Sequence, residues 1–213
     1  MNGHASSQRI IGFGSSLITI NKDINKELIR KSLHLLIACT PSLAFLIGTQ
    51  STIFLLALGV LFYTIAEYLR MSGSRIPIIS RITELAMRDR DADHFVLGPV
   101  TLGIGAMLTL MLYPNPAATI GIYALAFGDG LSSLTGKMFG TIRIPFSGGK
   151  SIEGSLTCFL AVLVSIIVLV PIIPPRQAIY IALIATFLEV LPSKDYDNLL
   201  LPVGTGLATI LLT

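Results

Sequence analysis

The residues best suited to chemistry gather around Asp129, in the stretch Ala126-Phe-Gly-Asp-Gly-Leu-Ser-Ser-Leu-Thr-Gly-Lys-Met-Phe-Gly140, followed by Lys150-Ser-Ile-Glu-Gly-Ser155. Asp129 interrupts an apolar run, and a carboxylate at membrane depth is costly unless it is paired or metal-bound, which marks it as functional. Gly128, Gly130, Gly136 and Gly140 let backbone approach backbone, or a phosphate, closely. Lys137, Lys150 and Arg143 bring positive charge, while Ser151 and Glu153 bring donors and a metal ligand. Acids for a hard cation, with bases and amides for phosphates, are the parts of a Mg²⁺–polyphosphate site. Gly149-Lys150-Ser151 ends like a Walker A loop, but Ile144 stands where that motif needs glycine and no strand precedes it. Gly136 and Gly140 also read as a helix-packing pair, which leaves Asp129, Lys150 and Glu153 unexplained.

Two further clusters carry acids or bases at apolar boundaries. In Glu189-Val-Leu-Pro-Ser-Lys-Asp-Tyr-Asp-Asn198, Pro192 should end or kink a span, leaving Glu189 just inside the membrane and Asp197 and Asn198 in a turn. Acids bracketing a helix break suit metal coordination, whereas Asp195 reads as part of a solvated turn. In Glu27-Leu-Ile-Arg-Lys-Ser-Leu-His34, Glu27, Lys31 and His34 share one helical face, with Arg30 beside His34. Lys22 and Lys26 read as plain topology anchors. Arg88-Asp-Arg-Asp-Ala-Asp-His94 reads as a salt-bridged surface segment, with Asp93 and His94 as weaker site candidates; Glu67 is another carboxylate near the same membrane face.

The elements that must position these groups follow from composition. Of 213 residues, 53% are hydrophobic and only 13% charged, about half the charge of an ordinary soluble domain. Mean hydropathy is +0.78, with the apolar residues in long runs, which excludes disorder and argues against a soluble fold. The expected fold is all-α: one polytopic integral membrane domain over 1–213 with about seven transmembrane helices, at Leu33–Gly48, Thr52–Leu69, Val96–Tyr113, Ala117–Thr135, Leu156–Ile173, Gln177–Leu191 and Leu199–Thr213. Residues 1–31 are expected to form a polar leader along the membrane surface. Fourteen of fifteen Lys and Arg residues fall in the leader and alternate loops, the exception being Arg176. The positive-inside rule then puts the N-terminus and the chemistry in the cytoplasm and the C-terminus on the opposite side. A net charge of +3 in this setting points to lipid-facing loops rather than nucleic acid. Cys39 and Cys158 lie in apolar runs and read as small buried hydrophobes.

These motifs resemble those of the CTP-dependent polyprenol/dolichol kinase, phytol kinase and diacylglycerol kinase family, which is related to the phosphatidate cytidylyltransferases. The family pattern Asp-x-x-Ala-x-x-x-Gly-x-x-x-Gly, then Lys-Lys-Thr/Ser-x-Glu-Gly, is similar to Asp129, Ser132, Gly136, Gly140, then Gly149, Lys150, Ser151, Glu153 and Gly154, at the same spacing. Its Arg-Lys-x-x-His resembles Arg30-Lys31-Ser-Leu-His34, and its late Glu and Asp-Asn-x-x-x-Pro resemble Glu189 and Asp197-Asn198-Leu-Leu-Leu-Pro202. Ser132 replaces the usual Ala, and Gly149 the first Lys of the pair. The resemblance implies a kinase that phosphorylates a membrane lipid alcohol, with CTP as donor and Mg²⁺ as cofactor. Asp129, Glu153, Glu189 and Asp197 would serve the metal. Arg30, Lys31, Lys137, Lys150, Ser151, Asn198 and the glycine backbone from Gly128 through Gly154 would serve the nucleotide. Asp129, His34, Lys150 and Asp197 are the catalytic candidates, the general base lying open between His34, Asp129 and Asp197. The alternatives are a cytidylyltransferase using the same substrates and, more distantly, an ion-coupled transporter. A homo-oligomer is compatible with the sequence.

Overall fold

The computed structural model describes residues 24–88, 91, 93–193 and 196–213. Lys22 and the leader before residue 24, and the readings of Asp89 and Asp195, lie outside these residues. Among the described residues the chain is helical, with a lone antiparallel bridge between Arg143 and Ser151.

Helix α1, over 24–36, runs through a tight turn at Ile37–Cys39 into α2 (Thr40–Ile47). Gly48 adopts a φ of 89°, which lets the chain reverse into α3 (Thr49–Met71). Then come α4 (Pro77–Ala86), α5 (Gly98–Leu112) and α6 (Ala117–Tyr123). A π-helical turn, Ala124–Asp129, joins α6 to α7 (Gly130–Phe139) without a break. Helices α8 (Ile152–Leu169), α9 (Pro175–Val190) and α10 (Asp197–Leu212) complete the fold. Pro77, Pro99 and Pro175 stand in first turns, where no intrahelical N–H is needed.

All seven expected apolar runs are helical over most of their length. Three helices among the described residues are long and apolar enough to cross a membrane, namely α3, the continuous Ala117–Phe139 and α8, while α5 and α10 are shorter apolar helices. Two features differ from expectation. Residues 24–31 are the start of α1 rather than a surface-lying leader, because Glu27 and Lys31 are drawn inward by charged partners on the central helix. The 70–95 loop also contains α4, whose ten residues are too short and too mixed in polarity to signal a span.

The Ala117–Phe139 helix is the internal one, with 67% of its apolar window buried against 17% for α3. One core, between α6, α8, α9 and α10, is built on Ile120, Val162, Ile166, Ile181 and Leu201. A second, around Ile37, Leu102, Ala106, Ile122 and Leu125, joins α5 to the central helix. Helices α5 and α10 touch closely enough that a Cβ on Gly105 would lie 2.0 Å from the Asn198 carbonyl oxygen. Phe54, Leu55, Leu58 and Leu61 of α3 face outward, an apolar surface suited to lipid rather than water.

Candidate active site

The π turn delivers Asp129 to the inner end of α1. Such turns insert an extra residue into a helix and recur at functional positions. Lys31 donates to Asp129 Oδ2, and His34 Nδ1 lies 3.2 Å from the same oxygen. All three side chains are buried, so the lysine and carboxylate neutralise each other away from water. Glu27, one turn earlier on the same face, is held by Arg30 and by Lys137 Nζ at 2.6 Å. Burial pushes the Glu27 carboxyl up, but Arg30, Lys137 and Lys31 reverse this and leave it below its ordinary value. The shared face expected for Glu27, Lys31 and His34 is therefore the face that meets the central helix.

A cavity of about 360 Å³ opens beside this cluster. Its polar end is formed by Arg30, Lys31, His34, Asp129, Asp197 and Asn198, the three separate sequence clusters brought to one place. The rest of the wall is mostly apolar, with Phe62 from α3, Ile79 and Ile82 from α4, and Leu102 from α5. Glu67 does not line it. Its carboxylate accepts from Arg70 Nε at 2.7 Å and from the Val96 N–H at 2.9 Å, and so fastens the segment before α5 to α3. Asn198 donates to Thr101 Oγ1 at 2.8 Å and to the Gly98 carbonyl at 3.3 Å, a tie between α10 and α5 rather than an open donor.

The remaining motif residues form a second locus between α7, α8 and α9. Lys150 Nζ pairs with Glu189 Oε1 at 2.9 Å and also donates to the Glu189 carbonyl. Ser132 and Ser155 donate to the two Glu189 carboxylate oxygens at 3.3 and 3.4 Å. Ser132 also lies 3.3 Å from the Asp129 carbonyl, which links the two loci. Ser151 caps α8 by accepting from the Gly154 N–H at 3.1 Å. Glu153, in the first turn of α8, accepts from the N–H groups of Thr141 and Ile142 at 2.9 and 3.2 Å, and from the Thr141 hydroxyl. The other Glu153 oxygen is buried with no hydrogen-bond partner.

The glycines of the motif face neighbouring helices. A Cβ on Gly140 would lie 2.2 Å from the Gly136 carbonyl oxygen and 2.5 Å from Ser151 Oγ; one on Gly154 would lie 2.8 Å from the Ser132 carbonyl oxygen. On Gly128 it would lie 2.9 Å from Val162, and Gly130 has Leu35 at 3.7 Å. These positions bring helix against helix, one of the two close approaches expected of them. Gly149 has a φ of 99°, a conformation a lysine there would resist.

Among the described residues no three His, Cys, Asp or Glu side chains converge as a ready-made metal cage. Of the four carboxylates expected at a metal, Asp129 and Asp197 share the cavity, whereas Glu153 and Glu189 are engaged in the second locus. Two carboxylates on one wall still fit Mg²⁺, which commonly takes one or two and completes its shell with phosphate and water. Lys26 and Arg88 also come to the site, beside Lys137 and Arg30. Their sequence contexts, an anchor and a charged loop, gave no sign of it.

The chain is 30% identical to the phytol kinase of Synechocystis sp. over 194 residues, covering 85% of this chain and 77% of that one. It is 25% identical to phytol kinase 1 of Arabidopsis thaliana, covering 91% and 69% of the two chains. A dolichol kinase of Arabidopsis thaliana matches at 25% identity over 54% of this chain and 22% of its own length. The chain spans from about half to about three quarters of the length of the phytol kinases it matches. No family model matches it. No solved structure matches it.

Proposed function

The chain belongs to the lipid-alcohol kinase family of the phytol and dolichol kinases, and from that premise we propose that it transfers the γ-phosphoryl group of CTP to the hydroxyl of a single-chain isoprenoid alcohol. The observation that carries the reading is the two-ended cavity, whose apolar wall suits a lipid tail and whose polar end gathers Arg30, Lys31, His34, Asp129 and Asp197. A tail entering laterally from the bilayer would leave its hydroxyl among these groups. The loop charges support a cytoplasmic position for this end.

Phosphoryl transfer asks a protein for positioning and charge neutralisation more than for covalent chemistry. The alcohol oxygen bonds to the γ-phosphorus, the bond to the bridging oxygen breaks, and CDP leaves. His34 Nδ1 lies 3.2 Å from Asp129 Oδ2 without making a hydrogen bond, and its other ring nitrogen is the group that would take the hydroxyl proton. Lys31 neutralises Asp129, and Arg30 faces the incoming phosphates. Asp129 and Asp197 would hold Mg²⁺, which when bound supplies charge neutralisation at the phosphates.

Purified protein given labelled CTP, Mg²⁺ and phytol should yield phytyl phosphate and CDP, resolved by chromatography. Release of pyrophosphate with a CDP-linked lipid would overturn the kinase reading in favour of a cytidylyltransferase. A preference for ATP would overturn the choice of donor.

A further inference from the structure

On α3, Leu55, Leu58, Gly59 and Phe62 follow i, i+3, i+4, i+7 spacing and form one stripe of the helix, and all four are exposed. Gly59 and Phe62 also line the cavity of about 360 Å³, whereas Leu55 and Leu58 do not. The stripe therefore marks a rim where the cavity meets the outward apolar surface, and Gly59 is the place on that rim without a side chain. Glycine inside a helix is less favourable than alanine, so its presence there calls for a reason. Close packing supplies the reason elsewhere. Apart from Gly98, which opens α5, each other described helical glycine has a neighbour within 4 Å of where a Cβ would stand, as Gly103 has Val60 and Gly204 has Leu188. At Gly59 a Cβ would meet nothing within that distance. Gly59 is also the eleventh of the 23 residues of α3, which puts it near the middle of a membrane-crossing helix.

We propose that Gly59 is a specificity-determining residue for the lipid substrate: a notch at mid-membrane depth through which the tail leaves the cavity for the bilayer. The hydroxyl lies at the polar end, the near part of the tail runs along Phe62, Ile79, Ile82 and Leu102, and the remainder passes over Gly59. The cavity is near the lower end of the roughly 300–1,000 Å³ that encloses whole small molecules, so a long tail needs such an outlet. An open notch makes the enzyme tolerant of tail length, because only the part of the tail before Gly59 is enclosed. This inference rests on the lipid-alcohol kinase reading for its substrate, but the path of the tail can be tested without turnover.

Gly59→Phe fills the notch from the α3 side. It should lower kcat/KM for phytol and for a long-chain polyprenol by roughly tenfold or more, and that for the short alcohol geraniol by less than about twofold. The nucleotide KM should not move. Leu55→Phe adds bulk to the same stripe away from the cavity and should leave the phytol-to-geraniol ratio unchanged. Gly59→Ala should hold or raise the melting temperature in detergent, since its methyl meets no neighbour and alanine favours the helix. Without nucleotide, a phytol analogue carrying a diazirine at the tail end should cross-link to α3 near Leu55 and Leu58, and Gly59→Phe should abolish this labelling. An unchanged length profile in Gly59→Phe would overturn the notch, as would an equal loss for geraniol and phytol, a lowered melting temperature in Gly59→Ala, or cross-linking confined to the inner wall at Leu102. If the tail label depends on residue 59 yet no lipid alcohol is phosphorylated, the notch stands and the kinase reading fails. If phytol is phosphorylated equally well by Gly59→Phe, the kinase reading stands and the notch fails.

Discussion

At the scale of the residue, Asp129 is the hinge of the chemistry because it is buried and touched by both a lysine and a histidine. Asp129→Asn keeps the shape but removes the charge that Lys31 balances beside His34. Turnover of the lipid alcohol should fall by roughly a hundredfold or more, with the protein still inserted in membranes; near-normal turnover would remove Asp129 from the site. Lys150 poses a different question, since its partner Glu189 is buried away from the cavity lining. Lys150→Met leaves that carboxylate unpaired and should cost about 3–5 kcal/mol, seen as a lower melting temperature in detergent. Adding Glu189→Gln should restore the melting temperature. If activity returns with it, Lys150 is a strut; if activity stays lost, Lys150 reaches the phosphates as the family motif implies. Asp129, Lys31 and His34 are legible in the sequence because a charge inside or beside an apolar run has few reasons to be there. That Lys150 and Glu153 take partners other than Asp129 is not legible, because linear spacing does not say which groups the start of α8 meets.

At the scale of the element, the joint between α7 and α8 depends on the absence of side chains. Gly140→Ala would set a methyl 2.2 Å from the backbone oxygen of Gly136 and 2.5 Å from Ser151 Oγ, and the backbone contact cannot be relieved by rotating a side chain, while Ser151 Oγ can turn away only by giving up its bond to the Gly154 N–H. We expect a loss of about 1–3 kcal/mol, measured by thermal unfolding in detergent, and a weakened cap on α8. The GxxxG spacing announces this joint in the sequence, and the structure adds that Gly154 and Ser151 are its other half. Helix α4 is the element the sequence conceals. Its Ile79, Ile82 and Thr83 line the cavity, but ten residues with Arg81 and Glu84 among them give no span signature. Glu67 is similarly ambiguous by sequence. A carboxylate near the membrane face reads equally as ligand or anchor, and only its bond to the Val96 N–H shows the anchor.

At the scale of the whole molecule, the helices bring residues far apart in sequence to one end, with Arg30, Asp129 and Asp197 around a single cavity. By the positive-inside rule the loop charges lead us to expect the cytoplasmic side for that end, and labelling can check it. In a background lacking Cys39 and Cys158, Ser72→Cys should react with a membrane-impermeant maleimide only from the cytoplasmic side, and Asn115→Cys only from the other. The reverse pattern would invert the orientation. The charge asymmetry and apolar runs are legible because they are properties of composition, independent of packing. The shared cavity is not, because Arg30, Asp129 and Asp197 come together only when α1, the central helix and α10 meet.

The shortness of α5 and α10 has a consequence for the surrounding lipid. At fifteen residues α5 is about 22 Å long, against a hydrocarbon thickness of about 30 Å. It packs against α10, which has sixteen residues, and its Leu102 forms part of the cavity wall. A span this short is accommodated by thinning of the bilayer, by snorkelling of flanking residues or by oligomerisation, and thinning beside the cavity would bear on the substrate. A lipid alcohol near the cavity would then have less hydrocarbon to cross before its hydroxyl meets polar groups. Reconstitution in lipids of increasing acyl length should lower the apparent affinity for the alcohol while leaving that for the nucleotide unchanged, because the membrane's own deformation would be part of substrate capture.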